Sequence, residues 1–327
     1  MTVVSSIKVK VVRRPQIKLK VLPRFPASVT ASSPILLANI GGSYQFSFDI
    51  NAAASSLSGF FASPSSVRTK LTADRTYYVR TDGSDNNTGL ANTSGGAFLT
   101  VQAAINVVAA LDLQIYNVTI QIVDGTYTGG VVVNGPWLGS GTVTIQGNNG
   151  TPSNVILSTG SSDAISVRNG GRLTVRDMKI QNTSGSFLIY AQSNGYIDYG
   201  NIVFGAATVA HVRTLDGGAV SCSVNYTIAA GSGRHWSASG PGAVIRCQNR
   251  TITISGTPAF SVAFAEGIVG GQVIVNSDTF SGSATGPRYS ANSMGMVYTG
   301  GAGTTYLPGD SAGSGTNPGT SPYGLYN

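Results

Sequence analysis

One pattern limits the folds open to this chain more than any other. The segments GRLTVRD, GYIDYGN, GAVSCSV, GAVIRCQ and GQVIVNS begin at Gly171, Gly195, Gly218, Gly242 and Gly271, at spacings of 24, 23, 24 and 29 residues. A self-similar period of this length marks a solenoid, because one unit cannot bury its own apolar face and must cover its neighbour's. Leucine-rich repeats share the length, but the Leu and Asn spacing they require is missing. Within a period the alternation splits into three short runs: RLTV, MKI and FLIY in one, AVSC, YTIA and RHWS in another. Such runs have the two-residue period of strands, and Gly, Asn and Asp between them supply turns. Three strands per turn close into a parallel β-helix of about 23–24 residues per coil.

Residues one coil apart then stack at ~4.8 Å. The pattern predicts an inward ladder of Leu173, Ile197, Val220, Ile245 and Val273, and a second of Val175, Tyr199, Cys222 and Cys247. Two cysteines form no disulfide framework, and these are expected as reduced, buried thiols in adjacent coils. Composition agrees: 43 Gly and a single glutamate, Glu266, leave little material for solvent-facing helices. The exception is FLTVQAAINVVAALDL. There Val101, Ala104, Ile105, Val108 and Leu111 share a helical face behind a candidate N-cap, Thr100, so a helix is expected over Val101–Leu111.

Charge is confined to one region. Lys8, Lys10, Arg13, Arg14, Lys18, Lys20 and Arg24 contribute +7, the first acid is Asp49, and the other 13 basic residues are balanced by 13 acids. IKVKVV and IKLKVL alternate basic and apolar side chains, as a strand with one buried face does. A disordered nucleic-acid tail lacks that regular apolar half and no DNA-binding motif is present, so these residues are expected to meet an acidic protein surface instead. SPILLANI, Gly41-Gly42 and SYQFSFDI read as a strand pair. No stretch is apolar over the ~20 residues a bilayer helix needs, which predicts no membrane insertion. MTVVSSIKVK lacks the ordered regions of a secretion signal, which predicts cytoplasmic assembly. The expected division is a basic β-rich anchoring region (1–70), an opening strand, turn and capping helix (71–116), the β-helix (117–282) and a Gly/Ser-rich closing segment (283–327).

The series YYVRTDGSDNNTG, AFLTVQAAINVV and VTIQIVDGTYTG resembles the opening of the pectate-lyase-like superfamily of right-handed parallel β-helices. There a strand and an Asn/Gly turn precede a helix that caps the first coil, and a strand with a DGTY-like turn follows. The resemblance covers about Arg75 to Gly282 and implies an all-β, right-handed coil with a helical N-terminal cap. It does not imply an activity, because polysaccharide lyases, hydrolases and phage tailspikes share this opening. The segment TGPRYSANSMGMVYTGGAGTTYLPGDSAG, with a small module placed before a capped solenoid, is similar to β-helical structural proteins of phages and prophages. Those are usually homotrimers. The resemblance implies a virion spike or fibre that docks on a capsid, portal, tail or baseplate protein through the basic residues, with bacterial surface polysaccharide as a further contact. A polysaccharide-degrading tailspike is the alternative.

Acid–base cleavage of a glycan needs two carboxylates ~5–9.5 Å apart. Asp177 and Asp198 form the best pair, with Arg172 and Arg176 expected near them, although a surface ion-pair cluster explains the same residues. Glu266 reads as lying in an insertion between coils, without an acidic neighbour. Tyr190, Tyr196, Tyr226 and Trp236 make a sugar-stacking ladder if they point outward, or edge packing between protomers if a trimer buries them. Asp82, Asp85 and Asn86 in DGSDNNTG offer oxygen ligands but lack EF-hand spacing and read as turn residues. His211 and His235, one period apart, read as exposed strand or loop residues rather than metal ligands. With no HExxH or phosphate loop, no cofactor, metal or convincing catalytic constellation is expected.

Overall fold

The computed structural model describes residues 35–40, 43–48, 68–184, 187–315 and 323–327. The chain divides into two compact units, Met1–Arg68 and Thr69–Asn327. In the first, Ile35–Ile40 and Ser43–Phe48 pair antiparallel with Ile40 opposite Ser43, the hairpin expected around Gly41-Gly42. The seven basic residues from Lys8 to Arg24, and the two strands expected to carry them, lie outside the described residues.

The second unit is a right-handed parallel β-helix with a short helical region near its start. Its strands lie on three faces. The first face stacks Arg75–Val79, Val118–Ile122, Val143–Gln146, the first half of Arg172–Asn182, the first half of Tyr196–Phe204, Ala219–Cys222, Val244–Gln248, Gln272–Asn276, Met296–Tyr298 and Leu325–Tyr326. The second face holds Gly125–Tyr127, Val155–Thr159, the second halves of the same two long strands, Tyr226–Ile228, Thr251–Ile254 and Thr279–Ser281. The third face holds Val131–Asn134, Ile165–Arg168, Phe187–Gln192, Ala210–Leu215, Ser232–Ser239, Phe260–Ile268 and Tyr289–Asn292. All pairs in these stacks are parallel.

The inward ladders follow the expected register. Leu173, Ile197, Val220, Ile245 and Val273 stand opposite one another in turn, as do Val175, Tyr199, Cys222 and Cys247, and all are buried. Both cysteines are free thiols, and burial pushes the Cys247 thiol well above its usual range. The glycine repeat needs one correction. At Gly171, Gly195, Gly218 and Gly271 the backbone N–H bonds the carbonyl three residues back, closing the turn from the third face to the first. In the remaining coil that role falls to Ala243, whose N–H bonds Gly240, and not to Gly242. One extra residue therefore enters this turn, and Val220 pairs with Ile245 rather than Val244.

The helix spans Val101–Ala109, with the Thr100 hydroxyl accepting from the Ala103 N–H at 3.2 Å and with Val101, Ala104, Ile105 and Val108 buried. Leu111 is buried too, but it begins a strand, Leu111–Asp112, so the helix stops two residues before the expected end. The coil also runs further than the repeat marks. Arg75–Val79 is itself a rung against Val118–Ile122, and Met296–Tyr298 and Leu325–Tyr326 continue the first face past Gly282. Rungs of two or three residues between Gly- and Ser-rich stretches carry too little alternation to be seen in sequence. Among the described residues no helix is long and apolar enough to cross a membrane.

Candidate functional site

In four coils the first face bends into the second at one left-handed residue: Asp177 (φ 60°), Asn201 (50°), Asn249 (57°) and Ser277 (60°). Asn and Asp visit this conformation more readily than other side-chain-bearing residues. Asp177 stands between the pairs Arg176–Gly200 and Met178–Ile202, which sets it against Asn201. The Asn201 amide donates to its Oδ1 at 2.6 Å and the Gln146 amide donates to its Oδ2. Asp177 is only 5% exposed. Asp198 points outward between buried Ile197 and Tyr199, as expected, and its Oδ2 accepts from the Arg176 guanidinium and from the Ser223 hydroxyl at 2.9 Å. Each carboxylate thus has its own partners, one at a corner and one in an ion pair. Arg176 is beside them as expected, whereas Arg172 belongs to a different feature.

Other candidates move. Glu266 is not in an insertion: it sits within the third-face strand Phe260–Ile268, opposite Ser237 and Ser290. It is buried there, 2.5 Å from Arg234 Nε and 3.8 Å from Arg213 Nη1, and accepts from the Ser237 hydroxyl at 2.7 Å. His211 and His235 are not exposed. Both are fully buried, with their Nδ1 atoms 2.9 Å apart and His235 Nε2 2.6 Å from the Tyr226 hydroxyl. Phe204 stacks on His211, and Tyr226 stacks on His235. Burial lowers the His211 pKa to about 3 and holds that of His235 well below its ordinary value. Strict alternation would place them outside, but His211 and Val212 are consecutive buried residues at the start of the third-face strand. Their separation of one period and their aromatic neighbours were the available signal.

The expected sugar ladder breaks in the same way. Tyr226 and Trp236 are core residues, with Trp236 fully buried against Phe264 and Phe280, so neither can meet a glycan. Tyr190 and Tyr196 are partly exposed but lie on different faces, the third and the first. In the turn after the first strand, Asp82 pairs with Arg80, while Asp85 accepts from the Leu99 and Thr100 N–H groups at 2.9 and 2.8 Å. They secure the turn and the helix start. Asp278, missed from sequence, titrates far from the usual carboxylate range: burial raises its pKa to about 7. Its Oδ1 accepts from the Arg250 N–H at 2.8 Å, and its Oδ2 has no hydrogen-bond partner among the described residues. Among the described residues no group of three His, Cys, Asp or Glu side chains could hold a metal ion.

Sequence reading also missed a groove on the first face. It has a volume of about 440 Å³ and is walled by Trp137, Arg172 and Tyr196, with the hydroxyls of Ser140, Thr142 and Thr174 along it. Trp137 comes from the loop after Val131–Asn134, and its Nε1–H donates to the Arg172 carbonyl at 2.6 Å. The Arg172 guanidinium lies 5.8 Å from the centre of the Tyr196 ring. Trp137 carried no repeat signal, and its place beside Arg172 depends on two segments 35 residues apart.

No family model matches this chain, and no curated protein or solved structure matches it. Its geometry is that of a right-handed parallel β-solenoid, consistent with the pectate-lyase-like superfamily in general.

Proposed function

We propose that this chain is a structural protein of a bacteriophage or phage-like particle. It forms a homotrimeric β-helical spike or fibre, assembled in the bacterial cytoplasm and carried on the virion. Lys8, Lys10, Arg13, Arg14, Lys18, Lys20 and Arg24 dock it on an acidic surface of a capsid, portal, tail or baseplate protein, and the solenoid meets host surface polysaccharide. The observation that carries this reading is the separation of charge from architecture. All of the +7 lies in the first 24 residues, ahead of a neutral coil. The partners of Asp177 and Asp198 support a shaft over a polysaccharide-degrading tailspike, because a general acid and base must be free to meet one glycosidic bond.

Deletion of residues 1–48 tests the reading. The shortened chain should remain a β-rich trimer of the solenoid unit but no longer co-sediment with particles. The full chain should scatter light as a species of about 100 kDa, three times 33.5 kDa. A monomer at micromolar concentration, or wild-type particle occupancy without residues 1–48, overturns it.

A further inference from the structure

We propose that the groove between Trp137, Arg172 and Tyr196 is a preformed subsite for a sugar that bears a carboxylate. The inference rests on reading the solenoid as the surface that meets host polysaccharide, and it narrows that polysaccharide to an acidic one.

The groove is held open by backbone contacts. Its loop is tied on one side by the Trp137 Nε1–H bond to the Arg172 carbonyl. On the other side the Leu113 N–H donates to the Leu138 carbonyl at 2.8 Å, and the Ser140 N–H donates to the Gln114 carbonyl at 2.6 Å. At Gly141 a Cβ would overlap the Tyr116 carbonyl, so the loop lies flush on that segment only because the side chain is missing. A loop fixed before binding loses little conformational entropy when a ligand arrives.

Its chemistry selects the ligand. The partly buried Trp137 and Tyr196 line the groove with ring surface that can pack against the C–H faces of a pyranose, and the Arg172 guanidinium lies over one face of Tyr196. The Ser140 and Thr142 hydroxyls donate to the Gln114 carbonyl and Asn117 Oδ1, which leaves their oxygens to accept from sugar hydroxyls, and Thr174 adds a third hydroxyl. Arg172 is exposed, forms no ion pair with any described carboxylate, and the groove lining contains no acid. A guanidinium fork matches the two oxygens of a carboxylate, a pairing that a neutral sugar leaves unused. One cation is too few for a phosphate backbone, which is held by several.

Calorimetric titration of the full chain decides the matter. The probes are a hexasaccharide of alternating glucuronic acid and N-acetylglucosamine, and the same hexasaccharide with its carboxyls reduced to alcohols. The acidic form should bind at least about tenfold tighter. Arg172→Gln should erase that preference while leaving the weaker binding of the reduced form, and Tyr196→Ala should weaken both. Equal affinity for the two forms, or a tenfold preference that survives Arg172→Gln, overturns the acidic assignment while leaving polysaccharide contact intact. No binding of either form at millimolar concentration overturns the assignment and the glycan-contact reading together.

Discussion

Two corners of the same coil solve one problem in opposite ways. Where the third face turns into the first, two successive residues take positive φ and a Gly follows, as in Asn169–Gly170, Asp216–Gly217 and Val269–Gly270. Before Ala243 the two, Gly240 and Gly242, are instead separated by Pro241. Where the first face turns into the second, one residue suffices, and it keeps a polar side chain: Asp177, Asn201, Asn249 or Ser277. The third-face corner works by omission. At Gly218 a Cβ would overlap the Ala191 carbonyl oxygen of a neighbouring coil. The first-face corner works by addition, because its side chains bond across coils, as Gln146, Asp177 and Asn201 do. The first device leaves Gly171, Gly195, Gly218 and Gly271, with Ala243 in the coil between the last two. The second leaves a buried carboxylate that looks like a catalytic acid.

The sharpest test of this contrast is Gly218→Val. Forcing a branched side chain against backbone should cost about 3 kcal/mol or more, read as a drop in thermal midpoint. A change below about 0.5 kcal/mol would show that the close approach is not structural. Next is Asp278, which follows Ser277 at the polar corner. Its carboxyl stays protonated in the folded chain up to about pH 7 but ionises near 3.8 when unfolded. Unfolding therefore releases a proton in that window, and stability falls as pH rises from about 4 to 7, by about 2 kcal/mol at most once partial solvent exposure is allowed for. Asp278→Asn should remove this slope. The comparison is variant minus wild type at each pH, because His211 and His235, kept neutral by burial, lose stability in the opposite direction as pH falls below about 6.5. A slope unchanged by the substitution assigns the titration elsewhere.

Gly242 separates conformation from crowding. It has φ 73°, yet the nearest atom to an added Cβ is Gly217 Cα at 3.3 Å. Gly242→Ala should cost about 1 kcal/mol, well below Gly218→Val; an equal cost in urea unfolding would merge the two roles. Val269 runs the same logic backward: it is a β-branched residue at φ 51° and is half exposed. Val269→Asn should stabilise by about 1 kcal/mol, and a loss of stability would refute the strain. The smallest effect belongs to Asp177→Asn. Gln146 can turn its carbonyl toward the new amide, so stability should stay within about 0.5 kcal/mol. If wild-type protein shortens host glycans and this change lowers the rate by more than ~100-fold, the corner is a catalytic acid after all.

The core was legible because its signal is local and repeated. Leu173, Ile197 and Val220 recur at one period, and each burial reinforces the next. The capping helix was legible through Thr100 and four buried apolar positions. Sites were not, since their members meet only through stacking. Ala243 took the place assigned to Gly242 because a turn can absorb a residue without disturbing the strands it joins.

By itself, then, the sequence determined the architecture: period, inward ladders, strand-rich composition and the segregation of positive charge. All of these depend on side-chain order along the chain. Only the tertiary structure decided what each exceptional residue does. His211 faces His235, Glu266 lies beside Arg234, Asp177 lies against Asn201, and Trp137 closes over Arg172, because the coil brings residues about one turn or more apart into contact. Alternation tells a side chain which way to point. It cannot say what another coil has placed there to meet it.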